Sequence, residues 1–353
     1  MKKKVAMLFG GMSTEHDISC VSVCGILENI DRRKFETVPI GITKGGAWIV
    51  YKGSVEDIKT LKWEEKTVGK TASDCKKEFN EAMSEILDSD IVFPMLHGKF
   101  GEDGTAQGMF EMLGKPYVGC RVLASSLAMD KVYAKKIFDQ SGIPQCKYVW
   151  INREDYEEDK DKFIKKAIDE LGFPCFVKPA NCGSSVGVGK ANDEKELRNA
   201  LDTAASYDRR LLVEEYVDAR EIECAVLGNQ RPIAATPGEI VPSKEFYDFE
   251  DKYKTGTSYC VIPAKIQADK LETIRKLAID AYKALDCSGL SRVDFFLCKD
   301  GRIFLNEINT IPGFTQISMY PKLFEAEGIP YKELITKIIE AGLDYDKEIK
   351  ELK

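Results

Sequence analysis

The chain has 353 residues, 44% of them hydrophobic and 31% charged, with 51 Lys and Arg against 58 Asp and Glu and a formal charge of −7. That length points to two or three domains, with a core large enough to need no disulfide or metal staple. The acidic balance argues against a nucleic-acid protein that relies on a basic surface, while a phosphate ligand held by local positive charge stays open.

Met1 to Lys4 and Val5 to Phe9 place a basic stretch before an apolar one, but Gly10 and Gly11 end it too early for a secretory signal. No run approaches the roughly 20 apolar residues of a membrane span. The 11 cysteines form no CxxC pair and read as small buried hydrophobes of a reducing compartment. A cytoplasmic chain with neither membrane nor nucleic acid as partner is expected.

In chain order, Lys4 to Phe9 reads as a strand that runs through Gly10-Gly11-Met12-Ser13 into the helical spacing of Ile18 to Ile30. That is a strand, glycine turn and helix, the unit of parallel α/β sheets. Ser54 to Cys75 is charged and weakly periodic, an excursion expected to carry no chemistry. Asp90 to Leu96 is a second apolar strand, leaving through His97-Gly98-Lys99-Phe100-Gly101-Glu102-Asp103-Gly104 into a helix over Thr105 to Leu113. Glycine-dense exits of this kind lie at the carboxyl edge of a sheet, where open α/β folds bind ligands. A first domain is expected to end near Arg121.

Beyond it come helices at Lys131 to Gln140 and Asp161 to Leu171, a strand at Phe173 to Lys178, and a glycine-rich loop, Asn181 to Gly189. A strand at Leu211 to Tyr216 closes this segment. Helices are expected at Lys270 to Leu285 and Tyr331 to Ala341. The loop's small residues let backbone N–H groups approach phosphate oxygens, with Lys178 adding charge, although it lacks the Gly-Lys-Ser/Thr of a Walker loop. A glycine-rich loop with no ligand is the plain alternative.

The stretch Arg292 to Asn309 carries the sharpest signal. Asp300-Gly301 between two runs of strand formers is the preferred two-residue hairpin turn. Counting back from it sets Asp294 opposite Glu307 and Arg292 opposite Asn309, all on one face by the period of two. Facing carboxylates repel unless compensated, and a divalent cation compensates them. The alternatives are a solvated face neutralised by Arg292, and a register slip of one residue, which would undo the pattern. Glu15, after the glycine turn, either caps a helix or binds an ammonium group. His16 and His97, the two histidines, read as packed or hydrogen-bonded residues.

Taken together, Gly10-Gly11 with Glu15-His16 and Ser19, His97 to Gly104, Met129-Asp130-Lys131 with Lys135, Lys178 to Gly187, Glu214 to Glu221, Phe246-Tyr247-Asp248 with Lys252-Tyr253, Arg292 to Asp294 and Asn306 to Gly313 resemble the D-alanine:D-alanine ligases. That family is a branch of the ATP-grasp superfamily, and the resemblance runs over essentially the whole chain. It implies a mixed α/β, three-domain ATP-grasp fold with an N-terminal Rossmann-like parallel sheet. The domains would be 1–121 on the substrate side, 122–213 as the central unit and 214–353 as the C-terminal catalytic unit.

The resemblance further implies ATP and Mg²⁺ as cofactors, the metal as two ions with Mn²⁺ as a substitute, and a homodimer. It gives Lys135, Lys178, Ser185 and Lys252 to the ATP phosphates, Glu214, Glu215 and Val217 to the adenine hinge, and Glu221 to the ribose. Asp294, Glu307 and Asn309 would bind Mg²⁺. Glu15 would receive the ammonium of the first D-alanine, linked with Ser184 and Tyr253. Arg292 and the Gly313 backbone would form the oxyanion site, with Ser318 and Met319 at the second carboxylate and His97 and Lys252 on the substrate side.

The implied activity is ligation of two D-alanines through an acyl phosphate, for peptidoglycan precursor synthesis. Glu245 to Tyr253 would act as a lid that keeps water out. Lys135, Lys178, Lys252 and Arg292 are expected to converge in a locally positive cleft. The alternatives are a D-serine- or D-lactate-using ligase, an ATP-binding module without catalysis and, more weakly, a dinucleotide oxidoreductase, against which the missing GxGxxG spacing speaks. Cys182 raises the question of thiol sensitivity.

Overall fold

The computed structural model describes residues 1–67, 69–183, 185–241 and 259–352, Lys66 in its backbone only. Ser184, Lys252 and Tyr253, with the whole expected lid at 245–253, lie outside the described residues. Among the described residues no helix is long and apolar enough to cross a membrane.

The first sheet is built from β1 (Lys3–Gly10), β2 (Phe35–Ile42), β3 (Trp48–Val50) and β4 (Ile91–Pro94), in the order β3-β2-β1-β4. β1 runs parallel to both β2 and β4, and the short β3 pairs antiparallel at the edge. β1 is apolar without alternation because both its faces are covered. Val5, Met7 and Phe9 enter one core and Ala6 and Leu8 another. Around the sheet lie α1 (His16–Asn29), α2 (Val55–Lys59), α3 (Lys76–Asp88) and α4 (Thr105–Met112).

Two helices, α5 (Val122–Met129) and α6 (Lys131–Gln140), lead into an antiparallel sheet of β5 (Tyr148–Asn152), β6 (Cys175–Pro179), β7 (Gly189–Ala191) and β8 (Arg210–Glu215), ordered β5-β8-β6-β7. Its core is sealed by α7 (Arg153–Glu158), α8 (Lys160–Leu171) and α9 (Glu194–Ala205). Position 213, where the second expected domain ends, lies inside β8. Ala124, Ala128, Ala134 and Phe138 of α5 and α6 pack into the core of the third unit, while Val132 packs with Ala180 and Leu212 of the central one.

That third unit is an antiparallel sheet of β9 (Ala219–Leu227), β10 (Ile233–Ala234), β11 (Gly238–Val241), β12 (Tyr259–Val261), β13 (Leu290–Cys298) and β14 (Ile303–Asn309). The helix α10 (Ala268–Ala284) covers one face, and α11 (Met319–Ala326) and α12 (Tyr331–Glu351) close the chain. The last helix runs ten residues beyond the expected end, and its Leu334, Ile335, Ile338 and Ile339 share a core with Val5, Met7 and Phe9 of β1. N-terminal and C-terminal units are thereby packed through one hydrophobic interior.

The β13–β14 turn differs from the expectation. Cys298 N–H donates to Arg302 O at 2.9 Å and Gly301 N–H to Cys298 O at 2.9 Å, so Lys299, Asp300 and Gly301 form a three-residue loop. Gly301 sits at φ +85°, the left-handed position that this loop type requires. Leu297 then pairs with Ile303 and Phe295 with Leu305, one residue off the expected register. A β-bulge leaves Asn306 as the extra residue and restores the count, so that Asp294 does face Glu307 and Arg292 does face Asn309. Two one-residue departures cancel.

Candidate active site

Because β1 and β4 are parallel neighbours, their carboxyl ends open side by side and bring Glu15 against Gly98. Glu15 is 8% exposed. A Cβ at position 98 would lie 2.3 Å from its Oε2, and one at 183, in the glycine-rich loop, 2.9 Å away. Only glycines leave room for that carboxylate between the two loops. Ser13 Oγ ties the exits together, donating to His97 O at 2.7 Å and accepting from Glu15 N–H at 3.1 Å.

The segment at 54–75 turns out to brace this corner. Trp63 stacks on His16 at 6.0 Å between ring centroids, and Glu64 Oε1 lies 3.5 Å from His16 Nε2. His16 Nδ1 lies 2.7 Å from Gly11 O, so the residue beside Glu15 is held on both sides. His97 is buried with both nitrogens committed, Nδ1 to Ile311 O at 2.9 Å and Nε2 to Ser22 Oγ at 3.0 Å. Since a carbonyl only accepts, Nδ1 carries the proton. Burial lowers the imidazole from its ordinary value, against the nearby Glu15 carboxylate, and the ring is neutral with Ser22 donating to Nε2.

On the side of the central unit, Asp130 caps α6 by accepting from Val132 N–H and Tyr133 N–H. Lys131 and Lys135, four apart, therefore point from one face of the helix. Lys135 Nζ meets Glu214 Oε1 at 2.5 Å, and Lys178 pairs with the other oxygen of the same carboxylate. Burial pushes the Glu214 carboxyl up, but the Lys135 and Lys178 ammoniums outweigh it and hold it at about 2. Glu215 Oε1 accepts from Lys147 N–H at 2.8 Å, fastening the exit of β8, and the half-buried Val217 follows it. Glu221, in register with Phe296, lies on the neighbouring β9.

Across the cleft stands the hairpin face. Arg292 binds Asp294 with Nε and Nη2, both at 2.7 Å, and its Nε lies 3.0 Å from Glu223 Oε2. Asn309 Nδ2 donates to Asp294 Oδ2 at 2.9 Å. The bulge turns both Asn306 and Glu307 toward the central unit: Lys178 Nζ lies 3.4 Å from Asn306 Oδ1, and Lys131 Nζ 3.6 Å from Glu307 Oε2. Two facing carboxylates and an amide oxygen are hard donors that suit Mg²⁺, which completes its shell with water and phosphate. No cluster of three or more His, Cys, Asp or Glu side chains that could hold a metal occurs among the described residues.

The locally positive cleft is not what the described residues form. Lys131, Lys135, Lys178 and Arg292 each meet a carboxylate from the set Glu214, Glu223, Asp294 and Glu307, with Glu15 close by. Desolvated cations are held in place by paired acids rather than gathered as free charge.

Ser185 is exposed and takes φ +60°, a left-handed backbone unusual for a residue with a Cβ. Ser318 precedes α11, its Oγ accepting from Thr315 N–H at 3.1 Å, and Gly313 lies beside it. Met319 is buried, so what it offers the cleft is backbone. Burial also raises the Cys182 thiol, the opposite of an activated thiolate. Sequence reasoning missed Lys131, Glu223, Asn306 and Glu102. Lys131 left a signal in its four-residue spacing from Lys135, and Asn306 and Glu102 lay inside stretches already marked.

Three units meeting on paired lysines, a glycine-rich loop and a carboxylate-bearing hairpin define an ATP-grasp protein. The family model described as D-ala D-ala ligase N-terminus matches residues 4–120, and that described as D-ala D-ala ligase C-terminus matches 137–340. A D-alanine--D-alanine ligase of Clostridium acetobutylicum is 51% identical, over 96% of this chain and 98% of its own. One of Acetivibrio thermocellus is 48% identical over 99% and 98%. Among solved structures, the VanG D-Ala:D-Ser ligase of Enterococcus faecalis superposes with TM-score 0.85 at 39% identity, covering 97% of this chain and all of its own. The D-alanine-D-alanine ligase of Coxiella burnetii does so with 0.83 at 34%, covering 99% and 98%. The chain belongs to the D-alanine:D-alanine ligase family.

Proposed function

We propose that this chain joins two D-alanines to D-alanyl-D-alanine at the expense of ATP, through an acyl phosphate, for peptidoglycan precursor synthesis. The observation that carries the reading is the hairpin face of Asp294, Glu307 and Asn309, set across the cleft from Lys131, Lys135 and Lys178. A carboxylate is a poor electrophile until one of its oxygens becomes part of a leaving group. Transfer of the γ-phosphoryl group from ATP to the first D-alanine makes it so, and positioning and charge carry such a transfer.

In this reading Lys135, Lys178, Lys252 and the loop at Ser185 hold the phosphates, and Glu214 keeps Lys135 and Lys178 in place. Glu215, Val217 and Glu221 hold the adenosine. Asp294, Glu307 and Asn309 hold Mg²⁺, as one or two ions, which supplies neutralisation of phosphate charge when bound. Glu15, with Ser184 and Tyr253, orients the ammonium of the first D-alanine. The amino group of the second D-alanine attacks the acyl carbon, Arg292 and the Gly313 N–H stabilise the oxyanion, and the C–O bond to phosphate breaks. Ser318 and the start of α11 offer backbone N–H groups to the second carboxylate. The reading includes domains at 1–121, 122–213 and 214–353, a cytoplasmic location and a homodimer, the last checked by sedimentation.

The test is a substrate panel of D-alanine, L-alanine, D-serine and D-lactate with ATP and Mg²⁺, with product identification. D-Alanine alone is expected to drive phosphate release and yield the dipeptide. No product from folded protein overturns the reading. A second reading, with D-serine as the second substrate, draws on the likeness to the VanG enzyme, and a mixed dipeptide as the major product would favour it.

A further inference from the structure

Ile311 lies two residues before Gly313, and both polar groups of its backbone are taken by side chains of the 97–104 loop. His97 Nδ1 donates to its carbonyl at 2.9 Å. Glu102 Oε1 accepts from its N–H at 3.1 Å. The other Glu102 oxygen accepts from Gly98 N–H at 2.6 Å, at the glycine against which the Glu15 carboxylate lies. His97 is anchored in turn on Ser22 of α1. Two side chains of the N-terminal unit thus close a fork on one residue of the C-terminal unit, gripping the peptide groups on either side of its Cα.

We propose that Glu102, with His97, is a positioning residue that fixes the Ile311-Pro312-Gly313 segment so that the Gly313 N–H meets the reacting acyl group.

The segment transmits position well. Residue 312 is proline, which fixes its own φ and biases Ile311 away from helical backbone, leaving few torsions between the gripped Ile311 carbonyl and the Gly313 amide. The gripping loop is itself wound tightly, with Gly98 at φ +73° and Phe100 at φ +68°, and Phe100 N–H donates to Asp103 Oδ2 at 2.9 Å. Ile311 is buried in the core that joins the N-terminal and C-terminal units. The fork therefore ties the substrate-side wall carrying Glu15 to the oxyanion wall carrying Gly313. Among the described residues the Glu102 oxygens accept from backbone N–H groups, at Gly98 and Ile311, so Glu102 acts through what it holds and needs no contact with substrate.

This inference rests on the ligase reading, and its test separates the two. An acyl phosphate held beside a misplaced Gly313 has two fates. Attack by the amine gives dipeptide and phosphate. Attack by water gives D-alanine and phosphate, breaking the same mixed anhydride without forming the peptide bond. The readout is inorganic phosphate released per dipeptide formed, measured with kcat for Glu102→Gln and Glu102→Ala at saturating ATP and D-alanine.

Wild type is expected to give a ratio near one. Glu102→Ala is expected to lower kcat about a hundredfold, the scale of an ångström-sized misplacement, and to raise the ratio well above one. Glu102→Gln, which keeps one acceptor oxygen, should fall between. A protein that merely folds less well loses kcat with the ratio held at one. A ratio of one for every folded variant overturns the inference; if Glu102→Ala does not fold, Glu102→Gln decides alone. Absence of dipeptide from the wild type would instead overturn the ligase reading.

Discussion

Glu214 and Glu102 are two glutamates enclosed in one cleft, yet one is driven to ionise and the other to hold its proton. Burial pushes both carboxyls up. At Glu214 the ammoniums of Lys135 and Lys178 reverse the effect and hold the group at about 2. At Glu102 the Glu15 carboxylate adds to burial, the N–H groups of Gly98 and Ile311 offset only part, and the group reaches about 8. Glu102 is partly exposed as a residue, but its carboxylate is enclosed, and the carboxylate sets the balance. The nature of the neighbours, rather than depth, decides the charge. The Lys135–Lys178 side is assembled from ion pairs in one charge state, and the Glu102 side from neutral backbone donors around a carboxyl near its titration point.

The comparison breaks most visibly if the Lys135–Lys178 side loses its acid. Glu214→Ala leaves two ammoniums in a buried site without their shared carboxylate. It is expected to cost about 3–5 kcal/mol in urea unfolding, the range for removing one member of a buried ion pair. MgATP should restore part of it, because phosphate oxygens replace the missing charge and ligand binding to the native state stabilises it. A loss below about 1 kcal/mol would mean that the lysines find other partners and that the ion pairs do not organise this wall. Lys178→Met is milder, since Glu214 keeps Lys135. About 2 kcal/mol is expected, the scale of a charged hydrogen bond, together with a rise of about tenfold in KM for ATP in steady-state assays.

This division was only half legible in the sequence. The alternation in Arg292 to Asp294 and Asn306 to Asn309 placed the acids on one face, because strand period and a turn signal are local properties. The route there was misjudged: a two-residue turn and a regular ladder were expected, whereas a three-residue loop and a bulge at Asn306 stand in their place. A bulge is chosen by packing on both sheet faces, which no short window contains.

Lys135 and Lys178 were singled out as lysines that meet phosphate, and the carboxylate between them was assigned to the adenine hinge, because their pairing joins a helix to two strands. Glu102 stood inside a stretch already marked as a ligand-side exit. Its role depends on residue 311, more than 200 positions away, and so left no periodic or compositional trace. The Ser54 to Cys75 excursion shows the same limit, since only the folded chain brings Trp63 and Glu64 to His16.

The smallest effect, taken per pH unit, sharpens the comparison further, because it lets both carboxyls report on themselves as pH changes. Glu102 binds its proton more tightly folded than unfolded, about 8 against an ordinary 4.5. Its contribution to stability is therefore complete below about pH 4.5 and is lost as pH rises through 8. Glu214 has the opposite sign, about 2 against 4.5, so its contribution is present above about pH 4.5 and is lost as pH falls toward 2. Each group alone gives a slope of at most about 1.4 kcal/mol per pH unit. Urea unfolding of wild type, Glu102→Gln and Glu214→Gln from pH 3 to 9 separates them. Glu102→Gln should flatten the slope between pH 5 and 8 and leave the acid side alone, while Glu214→Gln should do the reverse. An unchanged slope between pH 5 and 8 in Glu102→Gln would mean that the carboxyl ionises like an exposed one. The Gly98 and Ile311 amides would then outweigh burial, and the two sides of the cleft would share one charge logic after all.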